Sequence, residues 1–107
     1  MIVTIQKSLW NRGHAEGGTV LRNDGTRCIL GWIAKAYGVP DALIWGRGFI
    51  TNIPGWLPDW LTGSDVSANN LNRGLSLAND ELIDDQEIID RCTDLLKDYG
   101  VVFRLVD

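Results

Sequence analysis

Apolar positions recur at helical spacing over two stretches of the chain, and each stretch has a marked boundary. In residues 27–37 the apolar side chains cover a wide face, and Gly38 followed by Pro40 ends the predicted helix. Residues 84–99 also place an apolar side chain every three or four positions, and Asp84 is the predicted N-cap of this second helix. The pattern therefore predicts two amphipathic helices that each bury one face.

Three further segments have shorter patterns. Residues 3–12 are predicted to form a short helix because Ile5 and Leu9 lie four positions apart. Residues 19–22 and 101–106 are predicted to be strands because they are short, apolar and bounded by turn-forming residues. These two strands are expected to pair. The predicted fold class is α+β, with three to four helices beside a short two- or three-stranded antiparallel sheet.

The segment 39–64 follows neither the helical nor the strand period. It contains all three prolines of the chain and three of its five tryptophans. One turn of helix is predicted from Asp41 and another over residues 58–62, and regular helix is expected to resume near Ser64 or Asp65. The chain is therefore interpreted as a single domain, residues 1–107, with an irregular tryptophan-rich segment in its middle.

The composition is typical of a globular protein. The 107 residues are enough for one core, and 45% of them are hydrophobic. No run approaches the roughly 18 apolar residues that a membrane helix needs, and the first residues are too polar for a signal peptide. The two cysteines lack redox or metal-binding spacing, so reduced thiols and a cytoplasmic location are expected.

The charge is divided unevenly between the two halves of the chain. Residues 1–50 carry a net charge of +3 and residues 51–107 a net charge of −7. An acidic half repels phosphate backbones, so nucleic-acid binding is disfavoured, whereas a basic partner protein would be attracted. Asp90, Asp94 and Asp98 follow one another at four-residue spacing and are the predicted acidic contact face. The alternative is a solvated face with no partner.

Cys28 is a candidate nucleophile because it stands at the start of a predicted helix and follows Arg27, two features that lower a thiol pKa. His14 is the only histidine, and Asn79, Asp80 or Asp24 would be able to orient it. The alternative is a core position, because Cys28 also begins the apolar face of its own helix and free cysteines are among the most buried residues. We favour the core position and expect Cys28 to be buried and unreactive.

The tryptophans of the irregular segment are the strongest indication of a binding surface. Trp45, Trp56 and Trp60 lie in predicted loops, where aromatic side chains are typical of contact sites. Arg47 lies between two glycines and near Phe49, so its guanidinium would be able to stack on a ring or hold an anion. The alternative is that these rings fill the core.

Three other features are expected to be structural. Gly31 lies inside a predicted helix, where glycine is unfavourable, so it is interpreted as a point of close packing, with Trp10 or Trp56 across it. Asn79 is interpreted as the C-cap of the helix that begins near Asp65. The acidic residues at positions 80, 81, 84, 85 and 87 lack the spacing of a calcium-binding loop, and no metal or other cofactor is predicted.

Two stretches, GTRCILGWIAKAYG and LANDELIDDQEIIDRCTDLL, resemble a family of small uncharacterised proteins from actinobacteria and their phages. Its members carry Gly-Arg-x-Cys-x-x-Gly-Ala and, later, Trp-Asn-Asp before an acidic-capped helix. The positions that match, with shifted spacing in the first motif, are Gly25, Arg27, Cys28, Gly31, Asn79 and Asp80. Trp32 replaces the alanine and Ala78 the tryptophan. The resemblance covers residues 18–100 and implies α+β packing and a phage or mobile-element source, but no reaction.

The expected function is that of a small non-catalytic binding protein. Residues 43–60 and the acidic helix would contact a partner protein. If the source is a phage, the expected partner is a host defence protein, which binding would inhibit. Two alternatives stay open. One is a protein that holds a nucleotide or another small anionic ligand through Arg47 and the tryptophans, and the other is a hydrolase or transferase that depends on Cys28. The sequence also leaves a homo-oligomer open and predicts no membrane association.

Overall fold

The computed structural model describes residues 1–12, 20–22, 24–53 and 55–107. In chain order its elements are β1 (Ile2–Gln6), α1 (Ile29–Ala36), α2 (Asp41–Ile44), α3 (Asp59–Thr62), α4 (Val66–Glu81), α5 (Asp85–Leu95) and β2 (Val102–Val106). A 3-10 turn follows β1 and another follows α5. Helix α1 packs against β1 and α4, and α4 also contacts α3 and α5. The architecture is α+β, as predicted, with α1 and α4 at its centre.

The sheet joins the two ends of the chain. Strands β1 and β2 run parallel, with Ile2 beside Val102. The predicted strand at 101–106 is therefore confirmed as β2, but the prediction of an antiparallel sheet is wrong, and so is the pairing of this strand with residues 19–22. Parallel strands need a long crossover connection, and here the helices α1 to α5 lie within it.

The helix predicted for residues 3–12 is a strand followed by a 3-10 turn. Its first residues are mostly β-branched, which favours extended backbone over helix. Val3 and Ile5 are fully buried, whereas Ile2 and Thr4 are exposed. This alternation has the period of two that a strand needs to bury one face.

The predicted strand 19–22 lies partly outside the described residues, and the part that is described is not a regular strand. Val20 and Leu21 are buried. Leu21 forms an isolated bridge with Trp45, and the Val20 N–H donates to the Arg47 carbonyl at 2.8 Å. This short piece therefore attaches the irregular segment to the core.

The helical predictions are confirmed with shorter bounds. Helix α1 occupies most of the predicted 27–37, and Gly38 follows it with a φ of +80°. Asp65 and Asp84 each accept a hydrogen bond from the backbone N–H three residues on, so both are N-caps. The turns predicted after Pro40 and over 58–62 are the short helices α2 and α3.

Gly31 is a point of close packing, as predicted, but the group that lies across it is a backbone carbonyl. A Cβ on Gly31 would lie 2.0 Å from the Val20 carbonyl oxygen and 2.8 Å from the Arg27 Cβ. Neither Trp10 nor Trp56 is among the nearest groups, so that part of the interpretation is wrong. The missing side chain lets the Val20 backbone lie directly against α1.

One buried amide, that of Asn79, joins three parts of the fold. Its Oδ1 accepts hydrogen bonds from the Trp10 indole N–H at 2.8 Å and from the Ile29 backbone N–H at 2.9 Å. Its Nδ2 donates to the Asn11 carbonyl at 2.9 Å. Helix α4 continues past Asn79, so the interpretation of this residue as a C-cap is wrong. Asn79 instead caps the start of α1, where the N-cap residue Cys28 makes no side-chain hydrogen bond of its own.

A second buried amide, that of Asn72, holds the irregular segment against α4. Its Oδ1 accepts a hydrogen bond from the Ile50 N–H at 2.9 Å, and its Nδ2 donates to the Leu61 carbonyl at 2.8 Å and to the Ala68 carbonyl at 3.0 Å. Ile50 lies in the loop and Leu61 in α3. The amide therefore holds the interior of the loop that connects α2 to α3, and α3 itself, against α4.

We expect Asn79→Ala to lower the free energy of unfolding by about 3 kcal/mol, because it leaves the Trp10 indole N–H and the Ile29 N–H buried without a partner. Asn70→Ala is the matched control at an exposed position of the same helix, and it should change stability by less than about 0.5 kcal/mol. Urea denaturation measures both values. Equal stabilities of the two variants would show that the Asn79 amide does not hold the fold together.

Gly31→Ala should lower the free energy of unfolding by about 2 kcal/mol or more, because the added methyl group meets a backbone carbonyl and not the end of a flexible side chain. Gly74→Ala is the matched control, since its Cβ would come no nearer than 3.4 Å to Leu95 and alanine is the better helix former. In thermal denaturation the melting temperature of Gly74→Ala should therefore equal or exceed that of the wild type, and the melting temperature of Gly31→Ala should lie well below it. The opposite order would contradict the close contact at Gly31.

Candidate functional site

The irregular segment exposes two of its three tryptophans. Trp45 is 56% exposed and Trp56 is 46% exposed, and Leu43 nearby in the sequence is also exposed. Trp45 directly follows α2. The alternative that the rings fill the core therefore does not fit Trp45 and Trp56, which present large apolar surfaces to solvent.

Trp60 and Phe49 are placed differently. Both are partly buried and pack against the core. The Trp60 ring stacks on Tyr99, with ring centroids 4.0 Å apart and an interplanar angle of 7°. Tyr99 lies in the 3-10 turn after α5, so this stack connects α3 to the C-terminal part of the chain. These two rings therefore agree with the core-filling alternative, because each packs part of its surface against the core.

Arg47 is exposed, and its side chain is lightly held. Its Nη1 donates to the Thr51 carbonyl at 3.4 Å, a long hydrogen bond. Within the described ranges it forms no ion pair. Its backbone carbonyl, by contrast, accepts the hydrogen bond from Val20 that anchors the loop. Arg47 is thus a solvent-facing cation on a fixed backbone.

The acidic residues of the C-terminal helix are exposed but do not form one continuous helical face. Asp90 accepts a hydrogen bond from the Gln86 side chain at 2.8 Å, and Asp94 lies 3.7 Å from the Lys97 ammonium. Asp98 belongs to the 3-10 turn, because α5 has already ended. The stripe of three carboxylates predicted from four-residue spacing is therefore reduced to two residues on α5.

The thiol of Cys28 is fully buried, as predicted. Burial raises the pKa of Cys28 to about 11, and burial likewise raises the pKa of Cys92 to about 12. Arg27, which was expected to favour the thiolate, pairs with Asp41 at 2.9 Å instead. His14, the second catalytic candidate, lies outside the described residues. Both described thiols are protonated at neutral pH, which makes them poor nucleophiles.

The two stretches on which the family resemblance rests meet in space. The Ile29 N–H, one residue after Cys28, donates to the Asn79 side chain. Burial is the main cause of the raised pKa of Cys28, and the nearby negative charge of Asp80 raises this pKa further. The Asn79 amide is fully used by its structural hydrogen bonds, so it is not available to orient an imidazole.

Sequence reasoning missed two surface grooves, because residues that are distant in the chain line them. One groove of about 230 Å³ lies between β1 and α1 and is lined by Ile2, Thr4, Trp32, Lys35 and Ala36. The other, of about 250 Å³, lies between α4 and α5 and is lined mainly by apolar side chains, among them Leu77, Leu82 and Leu95. No sequence pattern indicates the first groove, because its two sides come from β1 and α1.

The described residues offer neither a metal-binding cluster nor a membrane-spanning helix. Nowhere in the described part of the chain do three or more His, Cys, Asp or Glu side chains form a group able to hold a metal ion. No helix within the described ranges combines the length and the apolar character that are needed to cross a membrane.

Comparison with known proteins gives no relative from which a site can be transferred. No family model matches the chain, and no curated protein and no solved structure matches it either. The resemblance stated from the two motifs therefore stays a prediction, and the function is inferred from the geometry of the exposed residues.

Iodoacetamide should label Cys28 and Cys92 slowly and at similar rates in the native protein, because both thiols are buried and protonated. Since the pKa of Cys28 is raised to about 11, only a small fraction of Cys28 is thiolate at the pKa of a free thiol, so its labelling there should stay far slower than that of free cysteine. Peptide mass spectrometry measures both rates, and labelling in urea gives the reactive control. Rapid native labelling of Cys28 well ahead of Cys92 would restore the nucleophile hypothesis.

Proposed function

We propose that the protein is a small non-catalytic binding protein that contacts a partner protein through the tryptophan loop, residues 43–60. The observation that carries this proposal is the exposure of Trp45 and Trp56, at 56% and 46%, in a chain whose core is filled by other side chains. Tryptophan is the residue most enriched among those that dominate binding energy at interfaces. Covering the two rings would remove apolar surface from water, which favours association.

The loop supports this role because its backbone is held on both sides. The Gly46 N–H donates to the Leu21 carbonyl at 3.1 Å, next to the hydrogen bond between Val20 and Arg47. Asn72 fixes the Ile50 N–H further along. A loop that is held in this way loses less conformational entropy on binding than a free one, so more of the contact energy is available as affinity.

The charges on the surface suggest how a partner is oriented. Arg47 supplies a cation beside the tryptophans, while Asp90 and Asp94 supply carboxylates on α5. These rim charges would affect the association rate and its salt dependence more than the final affinity. If the implied phage or mobile-element source holds, the partner is a host defence protein and the outcome of binding is its inhibition.

The test is capture of a partner from a lysate of the host cell by the immobilised protein. The wild type should retain a specific protein that free wild type competes away, and the double variant Trp45→Ala and Trp56→Ala should retain it at least about tenfold less well. Arg47→Ala should weaken capture while leaving the melting temperature nearly unchanged, because the Arg47 side chain makes one long hydrogen bond among the described residues.

Val66→Ala is the matched control, since Val66 is an apolar residue 74% exposed outside the loop. Capture by this variant should equal that of the wild type. Equal capture by all the variants, or no competed protein at all, would count against the tryptophan loop as the binding surface.

A further inference from the structure

The hydrogen-bond register of the sheet leaves one edge of β1 unpaired. The Val102 N–H donates to the Met1 carbonyl at 2.9 Å, and Val102 lies directly beside Ile2. In a parallel pair, the main-chain groups of alternate residues face the neighbouring strand and the others face away from it. The N–H and C=O groups of Ile2 and Thr4 and the N–H of Gln6 therefore face away from β2, and in the described ranges no third strand pairs with this edge.

The groove of about 230 Å³ between β1 and α1 lies beside this edge. Ile2 and Thr4, two of the residues with free main-chain groups, form its β1 side. Trp32, Lys35 and Ala36 form its α1 side, and the indole N–H of Trp32 is buried without a hydrogen-bond partner among the described residues. An open strand edge bordered by a helix is a place where an extended peptide adds as a further strand.

The elements around the groove are basic in an acidic protein. Strands β1 and β2 and helix α1 contain no Asp or Glu, although the whole chain has a net charge of −4. Lys35 is exposed and forms no ion pair within the described ranges, and its Nζ lies 5.4 Å from the centre of the Trp32 ring. Arg104 is exposed as well, and it lies beside Thr4 in the sheet. An incoming carboxylate would meet these two cations and no carboxylate from the three elements.

We propose that an extended segment of a partner protein adds to the free edge of β1 as a third strand and places an Asp or Glu side chain against Lys35. The main-chain hydrogen bonds to Ile2, Thr4 and Gln6 would supply affinity independent of sequence, and the groove with its lysine would select the acidic side chain. This is a second binding surface, made of residues other than those of the tryptophan loop.

Charge complementarity distinguishes this occupant from two others. A second copy of the chain would bring another β1 and α1, with the same lysine and no carboxylate, so self-pairing at this edge has no complement for Lys35. The terminal carboxylate of a peptide is usually captured by a nest of backbone N–H groups, whereas the groove offers a side-chain ammonium. The matching group is therefore an acidic side chain within the segment.

The test uses the whole chain and a displayed library of random linear peptides of about ten residues. The selected peptides should share an acidic residue within an alternating apolar and polar pattern, and the affinity of one of them is measured by fluorescence anisotropy. Lys35→Glu should weaken its binding at least about tenfold, whereas Lys7→Glu, the same charge change outside the groove, should alter it about twofold at most.

Thr4→Pro removes a donor from the free edge without removing a hydrogen bond to β2, so it should also weaken peptide binding about tenfold. Amide hydrogen exchange of the wild type gives an independent measurement that needs no variant. In the free protein the Thr4 and Gln6 amides should exchange faster than those of Val3 and Ile5. Binding of the peptide should slow the exchange of the Thr4 and Gln6 amides.

The proposal is overturned if no linear peptide is enriched, if Lys35→Glu and Lys7→Glu bind the selected peptide equally well, or if the Thr4 and Gln6 amides are already protected in the free protein. Protection of this kind together with a dimer in sedimentation would mean that a second copy occupies the edge. The double variant Trp45→Ala and Trp56→Ala should keep the peptide affinity of the wild type, so this proposal and that of the tryptophan loop succeed or fail separately.

Discussion

The side-chain amide of Asn79 is the interaction on which the arrangement of the fold depends. It accepts hydrogen bonds from the Trp10 indole and from the first backbone N–H of α1, and it donates to the Asn11 carbonyl. The surrounding core shields these groups from water, and a buried polar group that lacks a hydrogen-bond partner lowers the stability of the fold. The amide therefore determines where α1 begins relative to α4 and where the chain runs after the first 3-10 turn.

Both proposed binding surfaces depend on the same helix. Helix α4 positions α1 through Asn79, and α1 carries one side of the groove beside β1. Seven residues earlier, Asn72 holds the loop that carries the exposed tryptophans. Residues seven apart lie on one face of a helix, so α4 presents two fully buried amides to the core in place of two apolar side chains. A polar core of this kind is specific, because each amide has only one arrangement of neighbours that satisfies it.

The parts of the fold that were predictable from the sequence are those determined by near neighbours. The ends of the helices follow from Gly38, Asp65 and Asp84, whose effects act within one turn, and the structure confirms them. Strand β1 differs from the helix predicted there because its β-branched run favours extended backbone more than one pair of apolar residues at helical spacing favours a helix. Its partner lies at the other end of the chain, and no local pattern identifies such a partner.

The candidate site was predictable to a similar extent. The sequence located the tryptophans in loops, but whether a ring is exposed depends on distant residues, such as the Tyr99 that stacks on Trp60. Asn79 is not the predicted C-cap of its own helix, and its side chain instead accepts a hydrogen bond from the first N–H of α1, which is distant in the sequence. The groove beside β1 combines side chains from the first few residues with side chains from α1, and only the tertiary structure brings these together.

The parallel pairing of the first and last strands has a consequence for synthesis on the ribosome. β1 emerges first and its partner emerges last, so at the usual rates of translation the strand waits roughly 5 to 20 seconds before it is paired. During that time the apolar side chains of Val3 and Ile5 lack their final cover, and the helices assemble without a closed sheet. Completion of the native state is thus coupled to the arrival of residues 102–106, which makes the synthesis of β2 the step that commits the nascent chain to its fold.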